Sequence, residues 1–259
     1  MIRWCAYCQR FLGETSPFDQ YDVTHGLCER CYKLRRFEDN ELTDRMAPIR
    51  DLYMRIAGQT TDGPHSPAQL LEEGLAHGLA PVDLLMGMIQ PALYSMGRAW
   101  SLGQASVVQE HILTAACSTL LTLLFERLPH LRELRQSHQP RVLLVNAEDN
   151  FHTLGLQVVE LLLLSSGVPA LAVLPGLPTR EIAALVRSTR PTVLGVSVAV
   201  PQQFASVREI AGAVGELRPH HQPRVVTGGF AVKQGIALPD DAGLTLMANP
   251  HDLLGLVKT

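Results

Sequence analysis

Between residues 41 and 133 the apolar positions recur at helical spacing; after 141, short apolar runs alternate with helical stretches to the end of the chain. Ser66-Pro67 combines an N-cap with proline at the first helical position and predicts a helix through Leu75. A second helical run covers 81–100, with a kink expected at Pro91. The most apolar helix is expected over 106–128. Its stretch 112–125 carries no charge, which predicts a central place in a bundle. Residues 136–140 read as a linker.

Strands are predicted at 141–146, 170–174, 192–198 and 224–227, with a fifth at 244–247. Helices are predicted over 153–164, from Thr179 onward, and over 204–217. Buried apolar strands alternating with helices imply an α/β fold with a parallel, doubly wound sheet. The chain has 259 residues, enough for one large or two ordinary domains. Net charge is −3, so nothing at whole-chain level favours nucleic acid or an anionic membrane. The stretch 161–174 is broken by Ser165, Ser166, Gly167 and Pro169 and is too short to span a bilayer. The first residues, Met-Ile-Arg-Trp-Cys, show no apolar leader core. A cytoplasmic location without membrane contact is expected.

The polar, turn-rich segment 1–37 holds four of the five cysteines. Cys5-x2-Cys8 and Cys28-x2-Cys31 stand 19 residues apart, a spacing that fits a four-thiolate zinc site. Such a closed shell leaves no open position for substrate, so its role is structural. Iron in a rubredoxin-like site and a pair of disulfides are the competing readings; a reducing compartment disfavours the latter. His25 reads as a turn residue. Residues 1–36 carry six basic and four acidic side chains, which supports a DNA contact no better than a protein contact. Cys117, alone in the apolar helix, reads as core packing.

Asn150-Phe151-His152-Thr153-Leu154-Gly155 lies between the first strand and the first helix of the sheet. In such folds ligands bind beyond the carboxyl ends of the strands, and a histidine there can ligate a metal. Gly155 permits a close approach at the helix start. Gly195-Val196-Ser197 and Thr227-Gly228-Gly229 fall at the ends of two further strands. Each alone reads as a loop histidine or a turn. Together they line one sheet edge with small and polar groups.

On these residues the third segment resembles the B12-binding domain of methionine synthase and its relatives. Their Asp-x-His-x-x-Gly, Ser-x-Leu-type and Gly-Gly elements match Asn150-x-His152-x-x-Gly155, Ser197-x-Ala199 and Gly228-Gly229. The resemblance implies His152 as lower axial ligand of cobalt, with the displaced dimethylbenzimidazole tail beside Ser197, Gly228 and Gly229. Asn150 replaces the family aspartate. A neutral amide can orient the imidazole but donates less electron density, so weaker cobalt ligation is expected.

The middle segment resembles the helical cap of B12-dependent photoreceptors of the CarH type. The matching residues are Gln90-Pro91, Met96-Gly97, Trp100 and Gly103, followed by Glu110-His111 with nine residues between Trp100 and Glu110. Without that likeness, Trp100 reads as core and Glu110-His111 as the polar start of a helix. With it, Trp100 covers the upper corrin face and packs on an adenosyl group, which Glu110 and His111 contact. A glutamate accepts hydrogen bonds from ribose hydroxyls. The whole then divides into a zinc ribbon (1–37), a four-helix-bundle B12-binding cap (41–135) and a Rossmann-like, flavodoxin-like B12-binding domain (139–259).

Two departures stand out. The photoreceptors carry a MerR-like DNA-binding domain where this chain has the cysteine segment, and no recognition-helix pattern is present. Ser101 occupies the place of the histidine that takes the upper cobalt site after illumination. Some relatives bind a bilin beside the corrin, and no residue here argues for or against one. The expectation is a non-enzymatic, adenosylcobalamin-dependent photoreceptor in signalling or transcription regulation. It would act through cap movement on a regulatory protein partner or through self-association. The alternatives are a corrinoid protein carrying methyl groups for partner methyltransferases and an interaction module that has lost cobalamin.

Overall fold

The computed structural model describes residues 1–34, 42–59, 65–136, 139–235 and 244–257. The chain divides into two compact units, Met1–Arg127 and Leu128–Thr259.

The first unit opens with β1 (Ile2–Cys5), β2 (Phe11–Glu14) and β3 (Val23–Gly26). They form a small sheet in the order β2-β1-β3, with β2 antiparallel and β3 parallel to β1. The turn-rich reading missed these strands, although Ile2 and Trp4 alternate with exposed Arg3 as a half-buried strand requires. His25 lies on β3 and not in a turn. A short helix, α1 (Glu29–Lys33), follows. Then come α2 (Leu42–Ala57), α3 (Pro67–Ala76), α4 (Pro81–Leu84), α5 (Gln90–Ser101) and α6 (Val107–Glu126). Helices α2, α3, α5 and α6 pack against one another. Ser66 caps α3 and Pro67 occupies its first turn, as the sequence predicts.

The helical run is interrupted just before Pro91. A single π-helical stretch, Leu85–Ile89, precedes it, and Gln90 N–H reaches back to the Leu85 carbonyl. The extra residue re-registers the ladder where proline has no N–H to give. Helix α6 is not central all round. Leu113, Cys117, Leu120, Leu121 and Leu124 form one buried stripe, while Ala115, Thr119 and Thr122 are exposed. Thr119 and Thr122 donate their hydroxyls to the carbonyls of Ala115 and Ser118, each at 3.0 Å. These hydroxyls are satisfied within the helix on its exposed face. By length and composition this helix is also apolar enough to cross a membrane. Its packing on α3 and α5 is that of a bundle helix.

The expected break between 37 and 41 lies outside the described residues, yet the small sheet and the helices share one compact unit. Trp4 is fully buried and meets Phe11 edge-on at 5.7 Å. A Cβ on Gly87 would lie 2.4 Å from the Trp4 ring, so glycine in the π-helical stretch is what admits the indole. The Phe11 N–H donates to Asp83 Oδ1 at 3.2 Å, and Arg98 pairs with Asp19 at 2.9 Å.

The second unit begins with α7 (His130–Arg135), which the sequence reading had grouped with the preceding helices. It continues with β4 (Val142–Asn146), α8 (Leu154–Ser165), β5 (Ala170–Val173), α9 (Thr179–Thr189), β6 (Val193–Ser197), α10 (Phe204–Gly215) and β7 (Arg224–Gly228). It ends with α11 (Phe230–Lys233), β8 (Thr245–Met247) and α12 (Pro250–Val257). All strand pairs are parallel, in the order β5-β4-β6-β7-β8. Leu143, Val145, Leu194 and Val196 pack with Ile182, Val186, Val207 and Ile210 of α9 and α10. Helix α8 packs on β4 and β5. Strand order reverses at β4, so the edge between β4 and β6 is the switch point where such sheets bind ligands.

Candidate functional site

The four cysteines of the first unit converge. Cys5 ends β1, and a tight turn with Gln9 at φ 54° presents Cys8. Cys28 caps α1, its Sγ accepting the Cys31 N–H at 3.4 Å, and Cys5 Sγ accepts the Cys28 N–H at 3.4 Å. All four Sγ atoms lie within 4.8 Å of one another, with Cys8 and Cys28 3.8 Å apart. A tetrahedron with metal–sulfur bonds of about 2.3 Å has edges of about 3.8 Å, so the cluster fits a four-thiolate metal site. Burial pushes Cys31 up to about 12, reinforced by the neighbouring sulfurs of Cys28, Cys8 and Cys5. Burial also acts to raise Cys5, but backbone N–H groups of Cys8, Cys28 and Tyr7 outweigh it and bring that thiol down to about 7. Crowded sulfurs that raise one another's proton affinity are relieved by a shared cation. Cys117 is buried elsewhere, its thiol pushed up to about 12 by burial, as a core residue should be.

In the second unit Asn146, Ser197 and Gly228 occupy one register row at the carboxyl edge of β4, β6 and β7. The loop after β4 is fixed by its backbone. Ala147 N–H donates to the Ser197 carbonyl at 3.0 Å, Asn150 N–H to the Ala147 carbonyl at 3.0 Å, and Asp149 sits at φ 61°. Gln203 Nε2 holds the Asp149 carbonyl at 3.1 Å, and the Ser206 hydroxyl accepts the Glu148 N–H at 3.0 Å. Asn150 is 1% exposed. Its Nδ2 donates to the Ser197 carbonyl at 2.9 Å and its Oδ1 accepts the His152 N–H at 3.1 Å. Asn146 Nδ2 donates to the His152 carbonyl at 3.2 Å. His152 is thus pinned at both backbone groups while the residue itself is exposed.

The Asn150 amide acts on the loop backbone that carries His152. It is committed to backbone groups, and it fixes the loop. Gly155 lies in the first turn of α8, where a Cβ would meet nothing within 4 Å; the space over it is open. The glycine pair answers to the protein's own backbone. Gly229 has φ 110°, and a Cβ there would stand 2.3 Å from the Val198 carbonyl oxygen. A Cβ on Gly228 would stand 3.0 Å from that of Met247. Ser197 is half-buried. Asn146 Oδ1 and Thr227 Oγ1 are buried with no hydrogen-bond partner among the described residues, a cost that an incoming donor would remove. Sequence reasoning passed over Asn146, Gln203 and Ser206. Only Gln203 carried a signal, a side chain spaced to fold back on Val200.

In the first unit Trp100, 56% exposed, stands at the end of α5, where Leu102, Val107 and Val108 are also exposed. Ser106 opens α6 in a reciprocal cap with Gln109, which sets Glu110 and His111 in the first turn. Glu110 accepts from the Thr114 hydroxyl at 2.7 Å and meets His111 Nδ1 at 2.5 Å. Ser101 donates its hydroxyl to the Arg98 carbonyl at 2.8 Å.

Residues 67–124, spanning α3 to α6, match a family model described as a B12 binding domain. Among curated proteins no match is found. The fold is similar to that of the monomethylamine corrinoid protein of Methanosarcina barkeri, with a TM-score of 0.60, 15% identity, and coverage of 80% of this chain and 94% of that one. A methanol:cobalamin methyltransferase complex from the same organism aligns at TM-score 0.38 and 16% identity, covering 90% of each chain. A cobalamin-binding protein of Desulfitobacterium hafniense DCB-2 aligns at 0.39 and 14%, covering 80% of this chain and 96% of that one.

Proposed function

We propose that this chain binds a cobalamin and acts as a sensor, with the adenosyl form as its ligand and light as the signal. The observation that carries the reading is His152: its backbone is held on both sides at the switch point of a parallel sheet, and its imidazole is left for an outside partner. The matched B12 segment, the open space over Gly155 and the unpartnered buried oxygens of Asn146 and Thr227 support it. In this reading the His152 imidazole would hold the cobalt, and Trp100, Glu110 and His111 would hold the adenosyl group. Bound adenosylcobalamin supplies a cobalt–carbon bond that light can break. Contacts of Trp100 and Glu110 with the adenosyl group would favour one conformation of the helical unit, and their loss would alter a surface for a regulatory partner or a second copy. The four cysteines hold Zn2+ as a structural ion.

A second reading, a methyl-carrying corrinoid protein, is favoured by the name of the structural neighbour at TM-score 0.60, a corrinoid protein. Purified protein loaded with adenosylcobalamin separates the two. A spectrum stable in the dark and changed by green light, with altered elution on gel filtration, supports the sensor. A light-indifferent protein that takes and gives up methyl groups supports the carrier and overturns the sensor.

A further inference from the structure

At the other edge of the parallel sheet, the loops that enter the strands assemble a basic hollow that the proposed cobalamin site does not use. Arg187 and Arg190 come from the end of α9 and its exit. Arg218 and His221 come from the segment between α10 and β7. Together with Glu216 and Leu217 they line an open cavity of about 490 Å³. His220 stacks edge-on against His221 at 4.2 Å. Among the described residues, none of the three guanidiniums has a carboxylate within 4.0 Å. In a chain of net charge −3, three unpaired arginines around one hollow are a local reversal of sign.

Two further observations go beyond chance crowding. Arg190 ends α9 at φ 51°, the left-handed conformation for which glycine or asparagine is the ordinary choice. An arginine there brings a guanidinium to the hollow at the expense of backbone ease. The His221 imidazole is held below its ordinary value, by desolvation first and then by His220, Arg190, Arg218 and Arg187, so side chains of both segments act on one point. The carbonyl end of α9 accounts for Arg187 and Arg190 as favourable neighbours of a helix C-terminus. It does not account for Arg218, His220 and His221, which belong to another segment.

The geometry points to an anion site for a small ligand bearing a di- or triphosphate group. Guanidinium forks match phosphate oxygens two at a time, and three of them from two segments offer more donors than a single carboxylate can use. The cavity has the size of a small-ligand site. Glu216 is left to accept from a hydroxyl or amine on the remainder of the ligand.

Calorimetric titration of the full-length protein with inorganic pyrophosphate at low ionic strength tests this. Saturable binding is expected, weakened about ten-fold or more by Arg218→Gln and by Arg187→Gln, the range for losing one charge-assisted contact. Arg180→Gln, an exposed arginine on the first turn of the same helix, should leave it unchanged. Circular dichroism of the variants confirms folding. No saturable heat with folded protein, or equal weakening by Arg180→Gln and Arg218→Gln, overturns the site.

Discussion

Asn150 shows how one buried side chain holds a loop. Its amide binds two backbone groups, the Ser197 carbonyl and the His152 N–H. Asn150→Ala takes the partner from the His152 N–H and one of two donors from the Ser197 carbonyl, which keeps the Ala147 N–H, and should cost about 1 kcal/mol, measured by urea unfolding. A loss below a few tenths would show that the loop is held elsewhere. The place of His152 between the first strand and the first helix of the parallel sheet was legible in the alternation of strand and helix. The partners that hold it were not. Gln203 and Ser206 reach the loop from more than fifty residues downstream. Sequence spacing carries no trace of contacts made by tertiary approach. Glu160 was invisible for the same reason: it is buried, accepts from Ala172 N–H at 3.0 Å and pairs with Arg135 at 3.2 Å. Burial holds its carboxyl above the ordinary value, against the pull of Ala172 N–H and Arg135. The folded chain therefore binds that proton more tightly than the unfolded chain. Stability should fall as pH rises from the ordinary carboxylate value through the raised one. Glu160→Gln should flatten that slope; an unchanged pH profile of unfolding would contradict the assignment.

Elements were legible where one period dominated. The five parallel strands and the helices between them fall close to their expected positions because buried strands and amphipathic helices write distinct patterns. The first helical segment was harder. Uncharged α6 looked central but buries a single stripe, since threonine hydroxyls can satisfy themselves within the helix. At Pro91 the irregularity takes the form of a π-helical stretch just before it. The same stretch carries Gly87 beneath Trp4, a contact no sequence pattern announces. Gly87→Ala forces a methyl into the indole and should destabilise the first unit by about 1–3 kcal/mol in thermal or urea unfolding. Trp4→Leu in the same background should recover part of the loss, because the clash is with that ring. Failure of any recovery would place the strain in the backbone instead.

At the scale of the molecule, the two compact units carry different chemistry. The first joins a thiolate cluster to a helical bundle in one core, so metal and bundle should be coupled. A chelator with a thiol-reactive dye should release one equivalent of Zn2+ and expose the four clustered cysteines. Melting of the first unit should move to lower temperature with it. Release of iron would correct the metal, and no metal at all would leave a pocket of free thiols. The second unit carries the switch-point histidine on a fold shared with a corrinoid protein. That fold was readable because parallel topology depends on the hydrophobic pattern and not on any one loop residue.

The decisive measurement is the absorbance spectrum of purified protein loaded with adenosylcobalamin in the dark, compared with that of His152→Ala. The account predicts retained corrinoid with histidine bound to cobalt in the natural chain, and loss of that coordination signature in the variant. A protein that keeps no corrinoid through gel filtration, or a variant whose spectrum matches the natural chain, would contradict it.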